Sequence, residues 1–397
     1  MNPDLARLQP YPFERLRALR ADLTPPEDNT PIALSIGEPK HPPPPFVLEK
    51  LREYQDLVSI YPSTKGRDDL RQAIADWLQQ RFALTQVDAD RQVLPVNGTR
   101  EALFAFAQCI ADRSSGKDLV LMPNPFYQIY EGAALLAGLT PAFYNTTAAS
   151  AYAPDFEAIA DDTWRRCQLV YICTPGNPSG AVISEQALQT LIEKAEQFDF
   201  VIASDECYSE IFFDESKPPP GLLQAAANAG NTDYRRCVVF HSLSKRSNLP
   251  GLRSGFVAGD ADILKKFLLY RTYHGCSMPE PTQLASKLAW QDEEHVRANR
   301  RLYAEKFAAV LEILQPVLDV RQPDASFYLW PSLPVDDEHF TLELYRRHGI
   351  SVLPGSYLSR EADGINPGRR HVRIALVAEL ADCVAAAEMI KQTLASL

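Results

Sequence analysis

No stretch of this chain is apolar for long enough to cross a bilayer. Met1 to Arg20 interleave charges and prolines with apolar residues, so the apolar core of a secretory leader is missing too. A cytoplasmic protein is the expectation. Basic charge is scarce: 40 Lys and Arg stand against 51 Asp and Glu, a formal net charge of −11. Binding a phosphate backbone or an anionic membrane surface needs clustered cations, so neither nucleic acid nor membrane is an expected partner. The seven cysteines are odd in number and form no C-x-x-C pair. Several lie in apolar runs such as Leu169–Cys173, which reads as small buried hydrophobes in a reducing compartment rather than metal ligands or a catalytic thiol. Internal repeats and long low-complexity tracts are absent as well.

What is present suits a globular enzyme. With 397 residues, 46% of them hydrophobic, the chain is too long for one compact core, and two domains are expected. The proline clusters Pro42–Pro45 and Pro218–Pro220 read as rigid loops. Short runs rich in Val and Ile, at Val93–Val96, Leu119–Met122, Leu169–Cys173, Phe200–Ser204 and Cys237–His241, suit strands covered on both faces. Between them lie helical spacings, as in Leu70, Ile74, Trp77, Leu78 and Phe82, and again in Leu188, Leu191, Ile192 and Ala195. This alternation predicts an α/β layer with a mostly parallel sheet. From about Pro281 a long helical stretch is followed by strand candidates at Ser326–Trp330, Ser351–Leu353 and His371–Leu376 and by a terminal helix. That tail predicts a second, smaller α+β domain.

Open α/β sheets bind ligands just beyond the carboxyl ends of their strands. Each predicted strand here is followed by a polar or glycine-rich cluster. They are Asn97-Gly98-Thr99-Arg100, then Pro123 to Tyr127, then Thr174-Pro175-Gly176-Asn177-Pro178-Ser179-Gly180, then Asp205-Glu206-Cys207-Tyr208, then Ser242-Leu243-Ser244-Lys245 with Gly251-Leu252-Arg253. Gly98 to Arg100 at a helix start offer backbone N–H groups to an anion. Ser242 and Arg253 add a hydroxyl and a guanidinium fork for a phosphate. Lys245 offers an amine to an aldehyde. Asp205 offers a carboxylate to a pyridine nitrogen. Asn177 and Tyr208 can hydrogen-bond a phenolic oxygen, and Tyr127 can stack on a flat ring. Phosphate, aldehyde, pyridine nitrogen, phenol oxygen and aromatic face together describe pyridoxal 5′-phosphate (PLP). No metal is called for.

These clusters, in this order, resemble the landmarks of the fold-type I PLP-dependent aminotransferases, in the branch that includes aspartate and kynurenine aminotransferases. Ser35-Ile36-Gly37-Glu38-Pro39 and Tyr61-Pro62 extend the resemblance toward the start, and Val352-Leu353-Pro354-Gly355 and His371-Val372-Arg373-Ile374 toward the end. The resemblance implies a fold-type I architecture: a large domain with a mostly parallel seven-stranded sheet and a smaller α+β domain. The expected division is 1–45 for an N-terminal arm and part of the small domain, 46–285 for the large PLP-binding domain, and 286–397 for the small C-terminal domain. It further implies catalysis by Lys245, Asp205 and Tyr208. Arg373 would clamp the substrate α-carboxylate, assisted by Gly37 and Asn177. Tyr61 would reach across a homodimer interface to the partner's cofactor phosphate. Phe13, Leu16, Leu19 and Leu23 are expected to pack on that partner. One departure stands out: Ala325-Ser326 precede Phe327-Tyr328-Leu329-Trp330 where the family often has paired glycines.

Tyr270 to Met278, with Ser35–Pro39 and Asn97–Leu103, is similar to the bacterial N-succinyldiaminopimelate aminotransferases of lysine biosynthesis. That similarity implies N-succinyl-LL-2,6-diaminoheptanedioate as amino donor and 2-oxoglutarate as acceptor. Arg271, Lys40 and His41 are the candidates for reading the donor's far end. An aminotransferase for aspartate or another amino acid, or a PLP β-lyase on the same fold, remain the alternatives.

Overall fold

The computed structural model describes residues 1–26 and 30–397. Seven strands form the central sheet: β1 (Val93–Val96), β2 (Leu119–Asn124), β3 (Thr140–Asn145), β4 (Cys167–Cys173), β5 (Val201–Asp205), β6 (Cys237–Ser242) and β7 (Gly255–Gly259). Their spatial order is β1-β7-β6-β5-β4-β2-β3. Neighbours from β6 through to β3 pair in parallel, and β7 runs antiparallel to both β1 and β6. Five of these strands were expected from their apolar runs. β3 is a half-exposed edge strand, Thr-Pro-Ala-Phe-Tyr-Asn, and β7 begins and ends in glycine, so neither carries that signal.

Successive side chains on a strand point to opposite faces, and the core obeys that period. Val170 and Ile172 join Leu70, Ile74 and Leu78 on one face of the sheet. Leu169 and Tyr171 join Leu103, Phe106 and Phe240 on the other. The helix Asp68–Phe82 and the helix Glu185–Phe198 bury the residues that the helical spacing picked out. Truncating one such side chain, as in Phe240→Ala, leaves a cavity costing about 3–5 kcal/mol.

A smaller antiparallel sheet, in the order β9-β10-β8, contains β8 (Tyr328–Leu329), β9 (Leu353–Pro354) and β10 (Val372–Ala375). Ile32–Ala33 pairs in parallel with Ile350–Ser351. The run expected as one strand over Ser351–Leu353 therefore splits at Val352, because the residues on either side of it pair with different partners. Leu34 packs with Phe307, Leu311, Leu329, Ile374 and Ile390, which ties the N-terminal segment to this layer.

For Leu16, the N-terminal segment corrects the expectation of packing on a partner. Leu16, on the helix Pro12–Leu19, is buried against Trp330, Leu353, Tyr357 and Leu358 of its own chain, with Phe13 and Leu19 beside it. An amphipathic helix this close to an apolar surface of its own chain covers that surface first. Among the described residues no helix is long and apolar enough to cross a membrane, and no acidic, His or Cys cluster could hold a metal ion.

Candidate active site

A cavity of about 370 Å³ opens beside the carboxyl ends of the strands, and Lys245, Asp205, Asn177, Tyr208, Ser242, Arg253 and Arg373 all line it. β5 ends on Asp205 and β6 on Ser242, so strand length alone delivers these two side chains to one edge. Lys245 follows on the short helix Leu243–Arg246.

The Lys245 amine donates to the Gly37 carbonyl and lies 5.4 Å from the centre of the Phe327 ring. Burial lowers it from the ordinary lysine range to about 8, which makes it a usable base near neutrality. Asp205 is buried, and burial pushes its carboxyl above the usual range. Two donors oppose that push: the Tyr130 hydroxyl donates to Oδ2 at 2.7 Å and the Cys207 N–H to Oδ1 at 3.3 Å. Arg373 Nη1 donates to Asn177 Oδ1 at 2.9 Å and Nη2 to the Ser35 carbonyl at 2.7 Å, and its guanidinium lies 4.4 Å from the centre of the Tyr328 ring. Its buried Nε has no partner among the described residues. Tyr208 and Tyr328 join hydroxyls at 3.0 Å. Gly37 is required here: a Cβ would collide with the Tyr328 hydroxyl.

The residues expected to bind a phosphate gather where the helix Thr99–Ile110 starts. Its cap is Gly98, with φ +91°, so no side chain caps the first-turn N–H groups. A Cβ on Gly98 would fill the space that the Arg253 guanidinium occupies. Arg253 donates through Nη2 to both Glu101 carboxylate oxygens, at 2.7 and 2.9 Å, and through Nη1 to the Pro250 carbonyl. Ser242 Oγ accepts from the Ser244 N–H at 3.1 Å. Thr99 Oγ1 lies 3.1 Å from Cys207 Sγ. Bare helix N–H groups, a hydroxyl, a guanidinium fork, a carboxylate and an amine around one cavity form a donor set that fits PLP.

Arg100 also lines the cavity, with Nε donating to the Tyr127 hydroxyl at 2.8 Å and Nη2 to that of Tyr11 at 2.9 Å. Other expected residues go elsewhere. Tyr61 is fully exposed and outside the cavity. Arg271 is buried, donates to the Cys276 carbonyl at 2.5 Å and is not part of the cavity wall. His41 is buried between Asn299 and Lys306, at 2.7 and 2.6 Å, and Lys40 pairs with Glu38 at the surface. Sequence reasoning missed Tyr130, Tyr328 and Tyr11. Tyr328 sits in the Phe-Tyr-Leu-Trp segment and was within reach. Tyr130 follows Tyr127 by one helical turn, a spacing that says nothing about which carboxylate its hydroxyl meets. Ser326, in place of a family glycine, adopts φ +77° with its buried hydroxyl unpartnered among the described residues.

The family model described as aminotransferase class I and II matches residues 29–388. A crystal structure of an aminotransferase from Neisseria meningitidis superposes with a TM-score of 0.95 at 49% identity, covering 99% of this chain and 100% of that one. A probable N-succinyldiaminopimelate aminotransferase from Thermus thermophilus gives a TM-score of 0.84 at 27% identity, covering 96% of this chain and 98% of that one. The LL-diaminopimelate aminotransferase of Desulforudis audaxviator is 30% identical over 366 residues, 91% of each chain. The chain belongs to the class I and II aminotransferases, PLP-dependent enzymes that move amino groups between amino acids and oxo acids.

Proposed function

We propose that this aminotransferase acts on a donor with a diaminopimelate backbone, N-succinyl-LL-2,6-diaminoheptanedioate, with 2-oxoglutarate as acceptor. When bound, PLP supplies the carbonyl that exchanges for the amino group and a ring that delocalises negative charge. Lys245 would hold the cofactor's aldehyde carbon and would carry the proton to and from the substrate Cα; burial, which brings it to about 8, suits it to that task. Asp205 keeps a proton on the ring nitrogen. Tyr208 and Asn177 orient the phenolic oxygen, and Tyr127 covers a ring face. The Gly98–Arg100 N–H groups, Ser242 and Arg253 hold the phosphate. Arg373, fixed by Asn177 and the Ser35 carbonyl, binds the α-carboxylate with Gly37 beside it. The observation that carries the reaction is Lys245 and Arg373 facing one cavity.

The donor rests on the names of relatives, which share the diaminopimelate backbone. A second reading, unblocked LL-diaminopimelate, is favoured by the Desulforudis enzyme's name. A panel of amino donors compared by kcat/KM decides. The succinylated donor should lead, with parallel double-reciprocal lines against 2-oxoglutarate. Preference for alanine or an aromatic donor overturns the substrate and leaves the reaction intact.

We also propose a homodimer with shared sites. Val58, Ile60, Tyr61, Leu269 and Tyr273 expose apolar side chains, which a second copy would cover. Sedimentation should show a dimer at assay concentration, and Tyr61→Phe should release PLP faster on dilution. An active monomer refutes this.

A further inference from the structure

One face of the long helix Glu294–Leu314 lies behind Lys245. His295, Asn299, Tyr303 and Lys306 recur on it at three- and four-residue spacing, all largely buried. Two of them fasten the turn that carries Lys245. His295 Nε2 meets Ser247 Oγ at 2.8 Å, and Asn299 Oδ1 accepts from Asn248 Nδ2 at 3.0 Å. Asn248 follows that turn with φ +55°, a conformation that asparagine tolerates better than most residues. Asn299 Nδ2 also reaches the Lys245 carbonyl, at 3.5 Å. The same Asn299 holds a second segment. Its Oδ1 lies 2.7 Å from His41 Nδ1, and His41 Nε2 lies 2.6 Å from Lys306 Nζ. A lysine ammonium can only donate, so Nε2 accepts, the ring proton sits on Nδ1, and His41 donates to Asn299.

We propose that Asn299 is a positioning residue for Lys245, holding the turn of Lys245 and the loop of Gly37 at a fixed separation. His41 stands four residues beyond Gly37, whose carbonyl accepts from the Lys245 amine. Asn299 therefore touches both sides of that contact: the main chain behind the amine and the loop in front of it. The benefit to the reaction rests on the reading above, in which Lys245 moves the substrate proton; the tie itself rests on geometry. One buried amide oxygen that accepts from two segments fixes both, and a proton carrier displaced by a fraction of an ångström loses rate. The start of the loop is pinned separately. Leu34 donates to the Ser351 carbonyl and accepts from the Ala375 N–H, both at 2.8 Å. Ser35 and its bond to Arg373 thus stay in place without Asn299, and carboxylate binding is separable from the proton step.

The test compares Asn299→Ala, Asn299→Asp and Tyr303→Phe with wild type. In the full chain freed of cofactor, acetic anhydride labelling against pH titrates the Lys245 amine, read by mass spectrometry of its peptide. Releasing the loop opens that amine to water, so in Asn299→Ala its midpoint should rise from about 8 toward the ordinary lysine range. Cys207, Arg373, Glu38 and Arg100, the charged and titratable groups that act on it, are unchanged in every variant. In the holoenzyme, kcat should fall about tenfold and KM for 2-oxoglutarate should change by about threefold at most. Asn299→Asp keeps both acceptor bonds and should retain most of kcat. Tyr303→Phe, one turn along, removes a buried hydroxyl with no partner among the described residues and should match wild type. If Asn299→Ala does not fold, His41→Phe with Lys306→Met replaces that buried pair by apolar groups and cuts the same tie from the loop side; the same shift and the same fall are expected. An unmoved Lys245 midpoint, a loss carried by KM, Asn299→Asp as impaired as Asn299→Ala, or an equally impaired Tyr303→Phe overturns the assignment. If Lys245→Ala stays active while the midpoint moves in Asn299→Ala, the proton role of Lys245 falls and the tie stands. If Lys245→Ala is inactive and the midpoint does not move, the reverse holds.

Discussion

Tyr130→Phe removes one hydroxyl from the buried end of the site and keeps the ring. That ring stacks on Tyr171 with centroids 4.6 Å apart and planes 11° apart, and meets Tyr127 edge-on at 5.7 Å, so phenylalanine preserves the packing. The lost hydroxyl donates to Asp205 Oδ2 at 2.7 Å. Asp205 keeps only the longer bond from the Cys207 N–H, at 3.3 Å. A hydrogen bond to a buried carboxylate is worth about 1.5–3 kcal/mol, and losing it moves the Asp205 pKa further up. The direction follows from charge: Tyr130 favours the ionised form, and burial already opposes it. A carboxyl raised above its unfolded value costs stability as pH rises through the folded pKa. The variant enlarges that cost at neutral pH and leaves it unchanged in acid, where Asp205 is protonated in both proteins. The assay is kcat/KM against pH on holoenzyme, with urea unfolding at pH 7 as companion. The acid limb should move to higher pH. A fully folded variant whose acid limb stays in place refutes the role given to Tyr130.

Lys245→Ala should abolish transamination, and borohydride should no longer fix the cofactor mass to the chain; a fixed mass on another lysine refutes the assignment. Ser326→Gly should stabilise by about 1 kcal/mol in urea unfolding, since it relieves φ +77° and removes a buried unpartnered hydroxyl at the cost of some backbone entropy; a loss of stability shows that this hydroxyl is used. Burial lowers His41, His295 and His371 below 6.5. They bind protons more readily when unfolded, so stability should fall as pH drops from about 6.5 toward 5, and a flat thermal midpoint across that window contradicts the burial argument.

The alternation of apolar runs and helical spacings determined the α/β class. It also determined which residues stand at strand ends, because strand length and period are local properties of the chain. Lys245, Asp205, Asn177 and Ser242 were legible for that reason. β7 was not, since two glycines carry no apolar signal, and only pairing with β1 and β6 makes it a strand. The bond from Arg373 to Asn177 joins residues 196 positions apart. Tyr130 reaching Asp205, and Arg100 reaching Tyr11 and Tyr127, are rotamer choices set by what stands opposite. Arg271 shows the same rule in reverse: its segment pointed to substrate, and packing against Phe267 and the Cys276 carbonyl claimed it. A sequence specifies where a side chain leaves the backbone; the direction it takes is decided by contacts that exist only once distant segments have come together.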